Sequence, residues 1–466
     1  MADSYLIKGG RILTFPGGLA GEADVKVKDG VITEIGSGLA AGKSETIDAA
    51  GCIVSPGFIE MHAHLREPGM EYKEDVSSGS RAAVCGGYSA VFCMPNTNPA
   101  IDNSSVAEYV FDRGEDEALC MILPHGAITE GRLGKTLAPM GEMGTCRAGV
   151  KGFSDDGSWV MDSELMRRAM EYARTMGATI ISHSEDTTLS ADGQMNEGYW
   201  STYLGLRGIP PESETIAVFR DITLAEKTGA RLHLAHLSTA GSVGLVREAK
   251  KRGLAVTCEA APHHFSLDDS SLVGYDTNMK MNPPLRSKED VAAILEAIAD
   301  GTIDVIATDH APHAPHEKET EFARAEFGAV GLETCLGLVL TRLVGEGVLP
   351  LEDAISKLTV APARIMDMER WGYQPCIEEG RPANIVVFNP ELEWTVDAAS
   401  FKSRAMNTPY DGWHLKGKVE HKLFRGKLVV RDGRLESGPR GRPPKAVNNG
   451  GASKSRKKSS ESKVRG

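Results

Sequence analysis

The feature that most constrains how this chain folds is an alternation of apolar runs with amphipathic stretches through its middle. SAVFCM (89–94), ALCMIL (118–123), AGVKGF (148–153), ATIISH (178–183), RLHLAHL (231–237), LAVTCEA (254–260) and IDVIATDH (303–310) each have strand length. Between them, helical patterns run near 103–112 and 162–176, and in SVGLVREAKKRG and SKEDVAAILEAIADG. This rhythm predicts a parallel β/α array. Polar residues capable of chemistry stand at the C-terminal ends of several runs. In a TIM barrel that face holds the active site. A doubly wound sheet fits the same rhythm, but it gathers residues from fewer strands. The expected fold is therefore α/β, a TIM-like (β/α)8 barrel.

The two ends read differently. YLIKGGRILT, ADVKVKDGVITEIG and ETIDAAGCIV are short alternating segments joined by Gly-containing turns, and RPANIVVFNP and HKLFRGKLVVRDGRL repeat the pattern near the other end. Neither end has the apolar mass to stand alone, so the two are expected to pair into one small composite β-sandwich domain. The expected division is 1–54 with 367–437 for that domain, 55–366 for the barrel and 438–466 for a tail. From Arg440 onward nine basic residues face one acidic residue, Glu461, amid Gly, Ser and Pro, which reads as a disordered solubilising tail.

The whole chain has 466 residues and a formal charge of -12, so a nucleic-acid partner is not expected for its body. Eight scattered cysteines form no CxxC pair and read as reduced thiols of a cytoplasmic protein. MADSYLIKGG lacks the pattern of a signal peptide, and no apolar run is long enough to span a membrane.

His62 and His64, in PGFIEMHAHLREPG, sit two residues apart after an apolar run. On a strand of period two both rings point to one side, and imidazole is a natural zinc ligand. His183 ends ATIISH, His236 ends RLHLAHL, and Asp309 follows IDVIAT. His233 is offset from His236 by an odd number and is expected on the opposite face, as a packing or supporting residue. Asp304 opens its strand at the opposite rim and is expected to be structural. Asp155 and Asp156 follow another strand in KGFSDDGSW, where a carboxylate able to bridge two metals would fit. Four histidines and two carboxylates exceed what one zinc needs and suit two metals about 3.5–4 Å apart. Two metals sharing a hydroxide make a nucleophile at neutral pH and polarise a carbonyl, with Asp309 able to move a proton to a leaving nitrogen. That is metal-assisted hydrolysis of an amide or ester.

Substrate contacts are expected from residues near these ligands. Arg66 follows His64 and can pair with a carboxylate in bidentate fashion. Asn96 lies in MPNTNP, Asn282 in KMNPPLR, and His313 four residues beyond Asp309. Arg286 is a lesser cationic candidate. The stretch HAPHAPHEKETEFARAEFG has little apolar periodicity and is expected to act as a lid.

HAHLREPGMEYKED, GGYSAVFCMPNTNP, KGFSDDG, HSED, EAAPHHFSLDD, KMNPPLRSKED, GTIDVIATDHAPH, FGAVGLET and SRAMNTPYDG together resemble the bacterial class I dihydroorotases, cyclic amidohydrolases of the amidohydrolase superfamily. The resemblance covers roughly residues 50–430. It implies two zinc ions per chain. His62, His64 and Asp309 would hold one, His183 and His236 the other, with Asp156 bridging. Arg66, Asn96 and His313 would bind the substrate carboxylate, Asn282 the amide region of the ring, and Asp309 would be the general acid/base. The implied reaction interconverts (S)-dihydroorotate and N-carbamoyl-L-aspartate in de novo pyrimidine synthesis. Glu60 stands where the family usually has aspartate, and would support the site with a longer arm. Lys151 is the alternative bridge, because related hydantoinases and allantoinases use a carboxylated lysine in a similar place.

Two rivals follow from the same likeness. One is a hydantoinase- or allantoinase-type cyclic amidohydrolase. The other is a non-catalytic structural partner of aspartate transcarbamoylase, a class that typically loses metal ligands, whereas the full set is present here. A homodimer is expected by analogy, and an active enzyme of this kind is compatible with assembly with a transcarbamoylase.

Overall fold

The computed structural model describes residues 4–15 and 17–436. Eight parallel strands form its centre: Phe58–Ala63, Tyr88–Cys93, Met121–Pro124, Gly152–Phe153, Thr179–Ser182, Arg231–Leu234, Val256–Ala260 and Val305–Ile306. The first three pair in order, and so do the last five. Two seams close the ring. At one, Gly126 N–H donates to Gly152 O (3.0 Å) and Ser154 N–H to Gly126 O (2.8 Å). At the other, His310 bridges Ala63 in parallel, and His64 N–H donates to His310 O at 2.8 Å. Parallel strands of this kind are covered on both faces, so they read as continuous apolar runs. Every residue of Phe58–Ala63 and Tyr88–Cys93 is buried.

The outer helices begin where the sequence supplies caps. Asp75, Asn103, Asp162, Thr239 and Ser287 each accept a first-turn N–H, opening Val76–Cys85, Ser104–Glu117, Ser163–Thr175, Ala240–Lys251 and Lys288–Ala299. The helix expected near 103–112 runs a turn further, to Glu117.

Both ends of the chain meet in one continuous nine-stranded sheet. Ser4–Thr14, Gly18–Lys28, Val31–Gly36, Glu45–Asp48 and Ile53–Pro56 join Ile385–Thr395, His414–Phe424, Lys427–Arg431 and Arg434–Leu435. The join is Ile53–Pro56, antiparallel to Ile385–Phe388 on one side and parallel to Arg11–Ile12 on the other. Its own core includes Ile7, Val25, Val27, Ile32, Ile385, Val387 and Leu423. One residue, Gly57, separates this sheet from the first barrel strand. A Cβ there would lie 2.0 Å from Ser89 Oγ and 2.2 Å from Lys422 Nζ, so only glycine fits. The tail expected at 438–466 lies outside the described residues. No helix among the described residues is long and apolar enough to cross a membrane.

Candidate active site

Each barrel strand ends near the same point, and several deliver a polar side chain there. His62 is the fifth residue of the first strand and His64 follows its end. Asp156 lies three residues past the fourth strand, His183 one past the fifth, His236 two past the sixth and Asp309 three past the eighth. Arg66, His236 and Asp309 have φ of 60°, 30° and 49°. Non-glycine residues held in the left-handed region cost energy and cluster where function demands an exact direction.

Two groups share Asp156: His62 with His64, and His183 with His236. Asp156 Oδ1 is 3.2 Å from His62 Nε2, 3.6 Å from His183 Nδ1 and 3.7 Å from His236 Nε2, and Oδ2 is 3.5 Å from His64 Nε2. Asp309 Oδ1 sits on the first group, 3.2 Å from His64 Nε2 and 3.6 Å from His62 Nε2.

The outer nitrogens fix the inner ones. His62 Nδ1 donates to Glu259 Oε1 (2.7 Å), His64 Nδ1 to Asn96 Oδ1 (2.8 Å), and His183 Nε2 to Glu185 Oε2 (3.0 Å). Each bond turns the remaining lone pair inward, as metal-ligating histidines require. The fit to a cation is direct. His183 Nδ1 and His236 Nε2 converge at 2.9 Å, and buried His62 Nε2 and Asp156 Oδ1 have no hydrogen-bond partner. Buried polar atoms are rarely left unpaired, and convergent lone pairs with a shared carboxylate suit a metal.

Electrostatics agree. Burial would raise Asp156, but His62, His183 and His236 hold it well below the usual carboxylate range. Burial would lower His62, yet Asp156 and Glu259 carry it well above the usual imidazole value. For His183 the balance of burial against Asp156 and Glu185 ends at about 10. Burial opposes ionisation of Asp309, but the His64 hydrogen bond and the nearby His62 and His236 hold it low. His64 itself is lowered, by burial first and also by Arg66.

Arg66 is buried and makes no ion pair among the described residues. Its Nε donates to Pro312 O (3.2 Å), and Nη2 is 3.4 Å from His313 Nε2. Asn282 Nδ2 donates to Glu185 Oε2 (3.0 Å) and lies 3.4 Å from His183 Nε2. Arg286 points into a separate buried network, on Ser238, Asn196 and Ile209 O. Asp304 is held by Lys250 (2.5 Å) and the Cys258 N–H (2.9 Å).

Three expectations are corrected. Lys151 is no metal bridge: it precedes the fourth strand, whereas Asp156 follows it, and its Nζ donates to Met176 O (3.0 Å), the cap of the Ser163–Thr175 helix. That is the opposite end of the barrel. His233 has the supporting role expected of it but not the expected face: it shares Glu259 with His62 on the site side, its Nε2 being 3.1 Å from Oε2. The positive φ of His236 breaks the strand alternation on which that expectation stood. The stretch 310–328 is an anchored segment, with Lys280 Nζ on Phe322 O and Ala325 O and Lys318 Nζ on Glu326 O and Gly328 O. Of the adjacent acids, Asp155 turns away and accepts from Ile128 N (2.8 Å) and Thr129 N (3.0 Å). Glu60 accepts from His62 N (2.8 Å) and Thr308 N (3.1 Å), and burial first of all raises it to about 8.

Glu259 and Glu185 were not singled out from sequence. A single glutamate in a strand carries no spacing signature; the only signal for Glu259 was a charged residue ending the apolar run LAVTCEA.

Comparison with known proteins decides the family. The chain is 50% identical over 431 residues to the dihydroorotase of Geobacter sp. (strain M21), covering 92% of this chain and all of that one. The chain belongs to the dihydroorotase family. The dihydroorotases of Citrifermentans bemidjiense and Pelotomaculum thermopropionicum are also 50% identical, over 429 and 427 residues, each match covering 92% of this chain and 100% and 98% of theirs. A family model described as dihydro-orotase-like matches residues 51–242. Among solved structures, dihydropyrimidinase from Brevibacillus agri NCHU1002 superposes with a TM-score of 0.81 at 23% identity, over 93% of this chain and 96% of that one. L-hydantoinase from Arthrobacter aurescens gives 0.80 at 24%, over 94% and 98%. These two show the shared barrel fold. As a dihydroorotase-family member the chain is a hydrolase, and the clustered histidines and aspartates are its candidate metal-binding groups.

Proposed function

We propose that this enzyme interconverts (S)-dihydroorotate and N-carbamoyl-L-aspartate, the third step of de novo pyrimidine synthesis, at a centre holding two zinc ions. The observation that carries the reading is a buried, unpaired Arg66 beside His313, next to a site with two ligand groups that share Asp156. His62, His64 and Asp309 would hold one ion, His183 and His236 the other, and Asp156 both. Bound there, the pair would supply a water of lowered pKa and polarise a carbonyl oxygen.

The chain's own residues do the rest. Arg66 and His313 hold the ring carboxylate, with the Nδ2 donors of Asn96 beside them. Asn96 Oδ1 is committed to His64, so its amide hydrogens are the part available to substrate. Asn282 orients the ring amide. Asp309, ionised at neutral pH, takes a proton from the attacking water. The water oxygen bonds to the ring carbonyl carbon, the C–N bond breaks, and Asp309 returns the proton to the departing ureido nitrogen. In the reverse direction the same carboxylate first accepts the proton of the attacking ureido nitrogen and then returns it to the oxygen that leaves as water.

The same reading places the enzyme in the cytoplasm, consistent with eight free cysteines, as a homodimer able to associate with aspartate transcarbamoylase. Sedimentation of the protein alone and with a transcarbamoylase tests the assembly. The activity is tested by assaying dihydroorotate, hydantoin and allantoin in parallel on one metal-analysed sample. Selective dihydroorotate turnover is expected. Turnover of hydantoin or allantoin alone would refute the substrate assignment.

A further inference from the structure

One oxygen of Glu185 serves two donors. Its Oε2 lies 3.0 Å from His183 Nε2 and 3.0 Å from Asn282 Nδ2. A carboxylate oxygen only accepts, so Nε2 carries the outer ring hydrogen of His183, and the amino end of the Asn282 amide faces Glu185. His183 Nδ1 is thereby left for the ligand group, where it lies 2.9 Å from His236 Nε2 and 3.6 Å from Asp156 Oδ1. Apart from a 3.4 Å approach to His183 Nε2, the Asn282 side chain has no other polar contact among the described residues.

The Glu185 side chain is only 15% exposed and forms no ion pair with a lysine or arginine among the described residues. Taking a carboxylate out of water is costly unless hydrogen bonds satisfy it, and these two donors do so. The backbone beside it is pinned, because Asp186 N–H donates to Ser213 O (2.8 Å) and the Asp186 side chain caps the turn Thr187–Ser190. The segment that carries Asn282 has two further anchors. Gly328 N–H donates to Lys280 O (2.8 Å), and His264 Nε2 donates to Pro283 O (3.0 Å). Both grip its backbone on either side of Asn282. Glu185 holds the Asn282 side chain itself, and does so with the oxygen that already holds His183.

We infer that Glu185 is a positioning residue that ties the metal ligands to the substrate segment: one carboxylate oxygen turns His183 toward its ion and Asn282 toward the ring. The inference rests on the reading of His183 as a ligand and Asn282 as a substrate contact. Without Glu185, His183 loses the acceptor that fixes its ring, and Asn282 is free to turn away. Metal affinity and substrate affinity then fall through one residue that touches neither ion nor substrate. Removing Asn282 alone reaches only the second of the two.

The test compares Glu185→Met, Asn282→Ala and the double variant by three readouts. In chelator competition, Glu185→Met is expected to bind zinc about ten- to hundredfold more weakly, and Asn282→Ala within about threefold of wild type. In amide exchange, Glu185→Met is expected to quicken the segment 278–286. At saturating zinc, each single variant is expected to raise KM for dihydroorotate about tenfold. The double variant should show no higher KM than Asn282→Ala alone, because both changes break one contact. Glu185→Gln, which keeps an acceptor oxygen, is expected to bring KM back to within about threefold of wild type. KM effects that multiply in the double variant overturn the inference, and so does a Glu185→Met protein with unchanged exchange and unchanged KM. Should Glu185→Met fail to fold, Glu185→Ala takes its place with the same outcomes. Zinc competition and amide exchange need no turnover. Variants that show the expected zinc and exchange changes in an enzyme that does not turn over dihydroorotate would refute the substrate assignment alone.

Discussion

Asp156 sits where four imidazoles converge, and most of what the site can do follows from which atoms around it are already spoken for. Asp309 touches the same cluster from one side only, through His64 and His62. Asp309→Asn should keep its shape and lose its basicity. Turnover should fall on the order of a thousandfold in both directions while bound metal, by elemental analysis, stays near the wild-type level. Arg66→Met should leave kcat nearly intact and raise KM about ten- to hundredfold, the worth of a charge-assisted pair; unchanged carbamoyl-aspartate kinetics would place the anion site elsewhere. Glu259 orients His62 and also holds His233. Glu259→Gln should weaken metal binding about ten- to hundredfold in competition with a chelator. At this scale the histidines were legible because each ends an apolar run, and a strand end in a barrel has only one place to point. The choice between Asp155 and Asp156 was not legible in spacing. It is made by Ile128 and Thr129, which take the oxygens of Asp155 and come from a loop remote in sequence.

Among the elements, the strands were visible as apolar runs but are shorter than those runs. AGVKGF yields only Gly152–Phe153, and IDVIAT only Val305–Ile306. The remaining apolar residues pack as strand entries and exits, which hydrophobicity cannot separate from the paired core. The segment 310–328 was less legible still. Its polar, aperiodic sequence looked like a lid, yet two buried ammonium groups bind its backbone from within. Lys280 reaches Phe322 O (2.8 Å), Ala323 O (3.2 Å) and Ala325 O (2.6 Å), contacts with no sequence pattern of their own. Lys280→Met would leave those carbonyls without a donor. Unsatisfied buried groups cost about 1–3 kcal/mol each, offset in part by relief of the lysine's own desolvation, so a stability loss of about 3 kcal/mol is expected. Amide exchange should accelerate at 318–328 and stay unchanged in the helix Ser104–Glu117. Acceleration spread evenly over the chain would mean that Lys280 supports the whole fold rather than this segment.

In the whole molecule, the barrel places its ligands at one rim while the composite sheet of both termini joins it through the Pro56–Gly57–Phe58 step. Pairing of the two ends was inferred from insufficient apolar mass at either one, and Ile53–Pro56 against Ile385–Phe388 realises it. The barrel seams were hidden, because each rests on a single bridge outside any strand, at Gly126 and at His310. The buried ligand cluster also links stability to pH. In metal-free protein His183 is raised from 6.5 to about 10. Protonated His183 therefore contributes stability that is complete below about pH 6.5 and lost as pH rises through about 10. The stability gap between metal-free wild type and His183→Gln should narrow across that window in urea titrations; a constant gap would mean that His183 does not hold a proton between Asp156 and Glu185. The most direct measurement is to strip the enzyme of metal, return zinc stepwise, and follow dihydroorotate turnover at each addition. A centre in which Asp156 serves both ligand groups predicts activity that rises until two ions are bound per chain and that is absent in Asp156→Asn at any zinc level. Full activity at one ion per chain, or in Asp156→Asn, would contradict it.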